Sequence, residues 1–245
     1  RLMFAYMFGM NGKKLLFTAA DPLTAEDRRR RRERDDADVV DSTFRWTHLW
    51  YLDLESGKEK RLTEGTFVAS DPQWSPDSTR IAFVTRPNTK VDDAALSDVW
   101  MTDLEGKPRK FYENAGPDTS PRWSPDGRTL AMASKTQAGN TQWYDKLYLF
   151  PAAGGAPQVL LQNFDLGFGG PIWSRDGKIV YWSSGQGTKI ALFGVDIASG
   201  ELTTTSAPMG GANGAWQLAK DNNTWVFSHS DGGRPGDLWA ARRQG

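Results

Sequence analysis

Apolar residues in this chain fall into short alternating runs, the period of half-buried strands rather than of helices. Three of the runs, Ile81-Ala-Phe-Val84, Leu130-Ala-Met-Ala133 and Ile179-Val-Tyr-Trp182, each follow a nearly identical phrase. The phrases read Asp71-Pro-Gln-Trp-Ser-Pro-Asp-Ser78, Ser120-Pro-Arg-Trp-Ser-Pro-Asp-Gly127 and Gly170-Pro-Ile-Trp-Ser-Arg-Asp-Gly177. Weaker copies stand on either side: Phe8-Gly-Met-Asn-Gly12 before Leu15-Leu-Phe17, and Leu218-Ala-Lys-Asp-Asn222 before Trp225-Val-Phe227. Aligned on Asn11, Asp77, Asp126, Asp176 and Asp221, the copies are 66, 49, 50 and 45 residues apart.

A second motif follows each copy: Leu49-Trp-Tyr-Leu-Asp-Leu54, Val99-Trp-Met-Thr-Asp-Leu104, Leu147-Tyr-Leu-Phe150, Leu192-Phe-Gly-Val-Asp-Ile197 and Leu238-Trp-Ala240. A turn and a polar strand such as Lys58-Glu-Lys-Arg-Leu-Thr63 come next. Each unit therefore reads strand, tight turn, strand, loop, strand, turn, strand. Pro-Asp-Gly suits the tight turn: proline presets φ, aspartate bonds nearby backbone and glycine accepts φ > 0. Four antiparallel strands per ~45–50 residues is the signature of a β-propeller blade, and solenoid repeats are shorter. The fold expected is all-β, a β-propeller of four-stranded antiparallel blades, with about five present of seven or eight. Their bounds are roughly 1–65, 66–115, 116–165, 166–210 and 211–245, the last incomplete. Trp74, Trp123 and Trp173 recur in phase with the repeat, which favours packing between blades over a ligand-stacking platform.

Composition fits this picture. Glycine (25) and proline (13) supply turns, and 11 tryptophans supply large flat side chains for a core. Thirty basic residues balance thirty acidic ones, so no global field favours nucleic acid or an anionic membrane, and neither is expected as a partner. The chain has no cysteine, which removes disulfides, thiolate catalysis and zinc–thiolate sites. Only His48 and His229 are available as imidazoles, so a histidine-rich metal site is not expected. The start at Arg1 and the stop at Gly245, just after an apparent strand over Asp237 to Ala241, read as cuts from a longer protein.

One spacing is longer than the rest. The excess lies between Thr18 and Trp46, in the second-to-third strand connection of the first unit. Thr24 with Asp27 makes a capping-box variant, and acids precede arginines, as the helix dipole prefers. The pattern predicts a short charged helix over about residues 25–36. Six arginines and six acids share residues 26–38, too balanced for a nucleic-acid arm. A solvated helix with internal ion pairs is the favoured reading. The sharper one has the insertion projecting over an opening of the propeller to meet substrate or a partner domain.

Catalytic motifs are missing. There is no Gly-x-Ser-x-Gly elbow, Walker loop, dinucleotide fingerprint, HExxH or EF-hand loop, so no catalytic residue, metal ligand or cofactor is assigned. His229-Ser-Asp231 places three triad residue types side by side, but a triad needs spatial convergence rather than adjacency. The turn aspartates are scattered one per unit, and turn chemistry accounts for them without calcium.

The phrases Trp74-Ser-Pro-Asp77 and Trp123-Ser-Pro-Asp-Gly127 resemble the TolB-type propeller repeat. Beyond that, a charged insertion opens on Ala20-Asp-Pro22 and continues through Asp35-Asp-Ala-Asp-Val-Val-Asp41. Arg45-Trp-Thr-His-Leu-Trp50 and Gly57-Lys-Glu-Lys-Arg-Leu-Thr63 follow it. Together these resemble the non-catalytic domain of prolyl oligopeptidase family serine peptidases, closest to the acylaminoacyl-peptidase and dipeptidyl-peptidase-like bacterial branch. The resemblance covers essentially the whole chain.

It implies a propeller followed by a C-terminal α/β-hydrolase domain as the partner within one polypeptide, with serine, histidine and aspartate hydrolysing short peptides. The propeller would gate access, admitting short peptides and excluding folded proteins. Pro235-Gly-Asp-Leu-Trp239 resembles the last-blade segment that precedes the hydrolase domain, which itself is absent from these residues. Family members that cleave dipeptides hold the substrate's amino terminus with acids of a propeller insertion, and Glu33, Asp35 and Asp36 occupy the comparable insertion here. The fragment alone is expected to be inactive. The alternative is a free-standing TolB-type propeller that scaffolds protein contacts.

Overall fold

The computed structural model describes residues 3–9, 12–35, 45–90, 92–105, 107–114, 116–135, 145–187, 189–205, 212–231 and 233–242. They divide into two compact units, residues 1–117 and 118–245.

The first unit holds two antiparallel meanders. One is β1 (Met3–Phe8), β2 (Lys14–Ala20), β3 (Thr47–Asp53) and β4 (Glu59–Arg61). The other is β5 (Val68–Trp74), β6 (Ile81–Arg86), β7 (Asp98–Thr102) and β8 (Arg109–Lys110). A single parallel bridge, Thr47 to Val68, joins them. The second unit holds β9 (Asp118–Trp123) to β12 (Gln158–Leu160) through β10 (Thr129–Ser134) and β11 (Lys146–Pro151). Its next sheet is β13 (Ile172–Trp173), β14 (Ile179–Gln186), β15 (Lys189–Asp196) and β16 (Leu202–Thr205). A three-stranded sheet follows, β17 (Ala212–Leu218), β18 (Thr224–Asp231) and β19 (Arg234–Arg242). The sheets are built as propeller blades, as the repeat predicts.

The tight turn shows why its sequence recurs. The Ser75 hydroxyl donates to Asp77 Oδ1 at 2.5 Å and accepts from the Arg80 N–H at 2.9 Å. Ser124 with Asp126 and Ser174 with Asp176 repeat both contacts. Buried hydroxyls thus close each hairpin, and they hold the Asp77, Asp126 and Asp176 carboxyls below the usual carboxylate range. The residue after each turn lies in the left-handed region: Gly12, Ser78, Gly127, Gly177 and Asn222, with φ between 56° and 71°.

A feature with no sequence motif repeats as well. Asp71, Ser120 and Ala215, all three residues before the end of a first strand, have φ of 45°, 54° and 48°. Each sits where the ladder to the second strand slips, so the first strands β5, β9 and β17 carry a bulge at one shared position.

Packing lies between sheets. Trp74 joins Ala69, Ile81 and Phe83 of its own sheet to Leu16 and Leu49 of the preceding one. Trp173 packs half-buried against the core shared by the third and fourth sheets, and its Nε1 donates to the Arg122 carbonyl at 2.9 Å. Trp123 is also buried. The fourth sheet gives Tyr181 and Leu192 to a third cluster with Trp216, Leu218, Trp225 and Phe227. Inter-blade packing, as read from the tryptophan phase, is what Trp74 and Trp173 do.

Candidate functional site

The insertion contains α1 (Ala25–Glu33). Its Thr24 hydroxyl accepts the Asp27 N–H at 3.0 Å, and Asp27 Oδ2 accepts the Thr24 N–H at 2.8 Å, which completes the expected capping box. The helix is shorter than the predicted 25–36. Arg34 turns left-handed (φ 54°), and the Asp35 N–H reaches back to the Arg30 carbonyl at 3.0 Å, satisfying a terminal acceptor. None of its residues is buried.

Two of the three candidate acids are described, and both already hold an arginine. Glu33 Oε2 accepts from Arg29 Nη1 at 2.7 Å, and Arg29 also forks onto Glu26 at 2.6 and 2.9 Å. Asp35 Oδ2 accepts from Arg30 Nε at 3.2 Å. Asp36 lies outside the described residues, as does the stretch from Ala37 to Asp41. The internal ion pairing expected of this helix is present.

The insertion is rooted in a polar cluster at the end of β2 and β3. The Asp21 N–H donates to the Trp46 carbonyl at 2.8 Å, and Arg45 Nη2 donates to the Asp21 carbonyl at 2.9 Å. The Asp21 carboxylate meets Arg61 Nη1 at 3.2 Å and stands 3.5 Å from His48 Nε2. His48 is fully buried, its Nδ1 is 3.4 Å from Thr63 Oγ1, and Phe67 packs edge-on to the ring. Burial first, then Arg61, pushes its pKa below the usual imidazole value, outweighing the attraction of Asp21. The ring is therefore neutral near pH 7, and the long contact to Asp21 is not an ion pair. These residues lie within the segments that carry the family resemblance. No spacing rule joins positions 21, 48, 61 and 63, because only the β2–β3–β4 pairing brings them together.

His229 does not build a triad. Its Nδ1 bonds Asn213 Oδ1 at 2.8 Å, its Nε2 is 3.8 Å from Asp231, and strand alternation sends Ser230 to the opposite face. Trp239 covers the ring edge-on. A recess of about 460 Å³ lies by the turns of the third and fourth sheets, but its Asp126 and Asp176 are held by Ser124 and Ser174. Among the described residues no three His, Asp or Glu side chains converge to hold a metal, and no helix is long and apolar enough to cross a membrane.

The comparisons with known proteins agree with the sheets. The chain is 26% identical over 182 residues to the human (Homo sapiens) acylamino-acid-releasing enzyme, covering 72% of this chain and 19% of that protein. It is 35% identical over 124 residues to the uncharacterized peptidase YuxL of Bacillus subtilis (strain 168), covering 49% of this chain and 18% of that one. The chain thus spans about a fifth of the length of these curated relatives. Among solved structures, the puromycin-hydrolyzing peptidase of Mycobacterium tuberculosis superposes with a TM-score of 0.69 at 17% identity, over 98% of this chain and 36% of that one. At that identity the likeness is one of fold. The relatives are the peptidases that the insertion and its flanking segments resemble, and the TolB beta propeller domain model matches residues 48–238. With that match spanning the repeated sheets from β3 into β19, the chain belongs to the TolB β-propeller domain family.

Proposed function

We propose that this chain is the substrate-gating propeller portion of a serine exo- or oligopeptidase, working beside an α/β-hydrolase domain that hydrolyses short peptides. One observation carries the reading: 182 residues, 72% of this chain, align with an acylamino-acid-releasing enzyme. The absence of a nucleophile elbow from the sequence fits a non-catalytic part. The rooted insertion at the second-to-third strand end of the first blade supports a role in meeting substrate, since loops held by a rigid scaffold commonly carry function.

Glu33, Asp35 and Asp36 are the acids proposed to hold a peptide's free amino terminus. Glu33 and Asp35 exchange their arginines for the incoming ammonium at little cost, because such pairs are solvent-exposed. In a polypeptide carrying both domains, Glu33→Gln with Asp35→Asn and Asp36→Asn raises KM for free-amino peptides more than for blocked ones. Equal effects on both substrates sink the assignment of these acids. A free-standing TolB-type scaffold is the competing reading, as compatible with the family model as the first, and it predicts no hydrolase domain in the same polypeptide.

A further inference from the structure

Helix α1 has charges on every side and buries nothing, so no core contact accounts for it. A helix of nine residues is marginal alone, yet this one is given a capping box, a left-handed stop and an i,i+3/i,i+4 ion-pair stripe. Those devices hold a short surface in shape without tertiary support.

Near-neutral composition hides how its charge is arranged. Glu26, Arg29 and Glu33 are spaced i, i+3, i+7 and pair along one face, both glutamates on the one arginine. Arg28, Arg31 and Arg32 are spaced i, i+3, i+4 and share the opposite face. Among the described residues Arg31 and Arg32 are exposed and make no ion pair, and the Arg28 side chain bonds only the Leu23 carbonyl, at 2.8 Å. The charge that α1 leaves uncommitted is therefore positive, the reverse of what its candidate acids suggest.

We propose that the Arg28, Arg31 and Arg32 face of α1 is a docking surface for an acidic polypeptide segment. Three guanidinium forks within one turn match two or three neighbouring carboxylates, each able to accept two parallel N–H bonds. A polypeptide fits better than a polyphosphate or nucleic acid. Three arginines on a helix roughly 13 Å long neutralise only a few phosphates, and the whole stretch lacks the net positive charge that a nucleic-acid arm carries. The surface goes beyond the peptidase reading and stands or falls separately from it, since binding to this chain needs no hydrolase domain.

The test is fluorescence anisotropy of a labelled octaglutamate, blocked at both termini, titrated with the 245-residue chain at about 20 mM salt, where the Debye length is long. Saturable binding is expected, weakened roughly tenfold or more in Arg31→Gln/Arg32→Gln. The Lys107→Gln/Lys220→Gln protein, with the same change in net charge on exposed lysines elsewhere, should stay within about twofold of the parent. Circular dichroism of each variant checks that the sheets and helix are kept. Absence of binding, equal loss in both double variants, or undiminished binding without Arg31 and Arg32 overturns the proposal. Tighter capture of an oligonucleotide through the same arginines overturns the choice of an acidic polypeptide.

Discussion

Leu192 and Leu238 occupy the same place in consecutive repeats, at the start of the third-strand motif, yet one is fully buried and the other 73% exposed. Leu49, Val99 and Leu147, the other three copies, are fully buried like Leu192. Leu192 lies in β15, which has β16 along its edge and Trp216, Leu218, Trp225 and Phe227 packed against its face. Leu238 lies in β19, whose outer edge pairs no strand among the described residues. The residue and its strand are alike in both places. What differs is the cover, an outer strand and a neighbouring sheet, so burial in this repeat is set by what packs on each strand rather than by the strand itself.

The largest test of that contrast is a matched pair. Leu192→Ala removes buried side-chain volume and should destabilise the second unit by about 2–5 kcal/mol, whereas Leu238→Ala should change stability by less than about 0.5 kcal/mol. Urea unfolding of the two variants measures both. Equal losses would mean that the exposed leucine is covered in solution.

The next test concerns how one interface is tied. Arg175 stands where two other copies have Pro76 and Pro125. Its N–H donates to Asn222 Oδ1 at 2.8 Å and its Nη2 to the Leu218 carbonyl at 2.7 Å, stapling the fourth sheet to the fifth. Arg175→Pro makes the turn more like its siblings but deletes both bonds, and should cost about 1–2 kcal/mol. A stabilised protein would show that turn preference outweighs the staple.

A smaller effect separates the insertion root from the rest by pH. The folded pKa of His48 is lowered, so the unfolded chain binds its proton first. Its contribution to stability is whole above the unfolded value near 6.5 and is lost as pH falls from there through the folded value. Thermal melts between pH 8 and about 5 should show this loss, and His48→Phe should flatten it. Weakest of all, Thr24→Ala should cost α1 about 1 kcal/mol of local stability and leave the global unfolding midpoint in place.

The blades were legible because a repeat reads the same physics several times. Turn proline, aspartate and glycine, alternating strands and phased tryptophans all pointed to one architecture. The role of Ser75, Ser124 and Ser174 was less visible, since a serine beside a turn aspartate does not announce that its hydroxyl closes the hairpin. The left-handed bulge at Asp71, Ser120 and Ala215 could not be read at all, because three unlike residues take one backbone shape that the ladder imposes. In the candidate site, the helix and its cap were legible from local signals. Its end at Arg34, the root formed by Asp21, His48 and Arg61, and the segregation of its arginines depend on geometry that composition averages away.

The central claim, a gating propeller portion of a serine peptidase, is tested most directly with a fluorophosphonate probe and a chromogenic peptide. Both are applied to the 245-residue chain and to the polypeptide encoded by its complete gene. The account predicts labelling and hydrolysis by the complete polypeptide and neither by the chain alone. Inhibitor-sensitive labelling of the chain itself, or a complete polypeptide that takes no label, would contradict it.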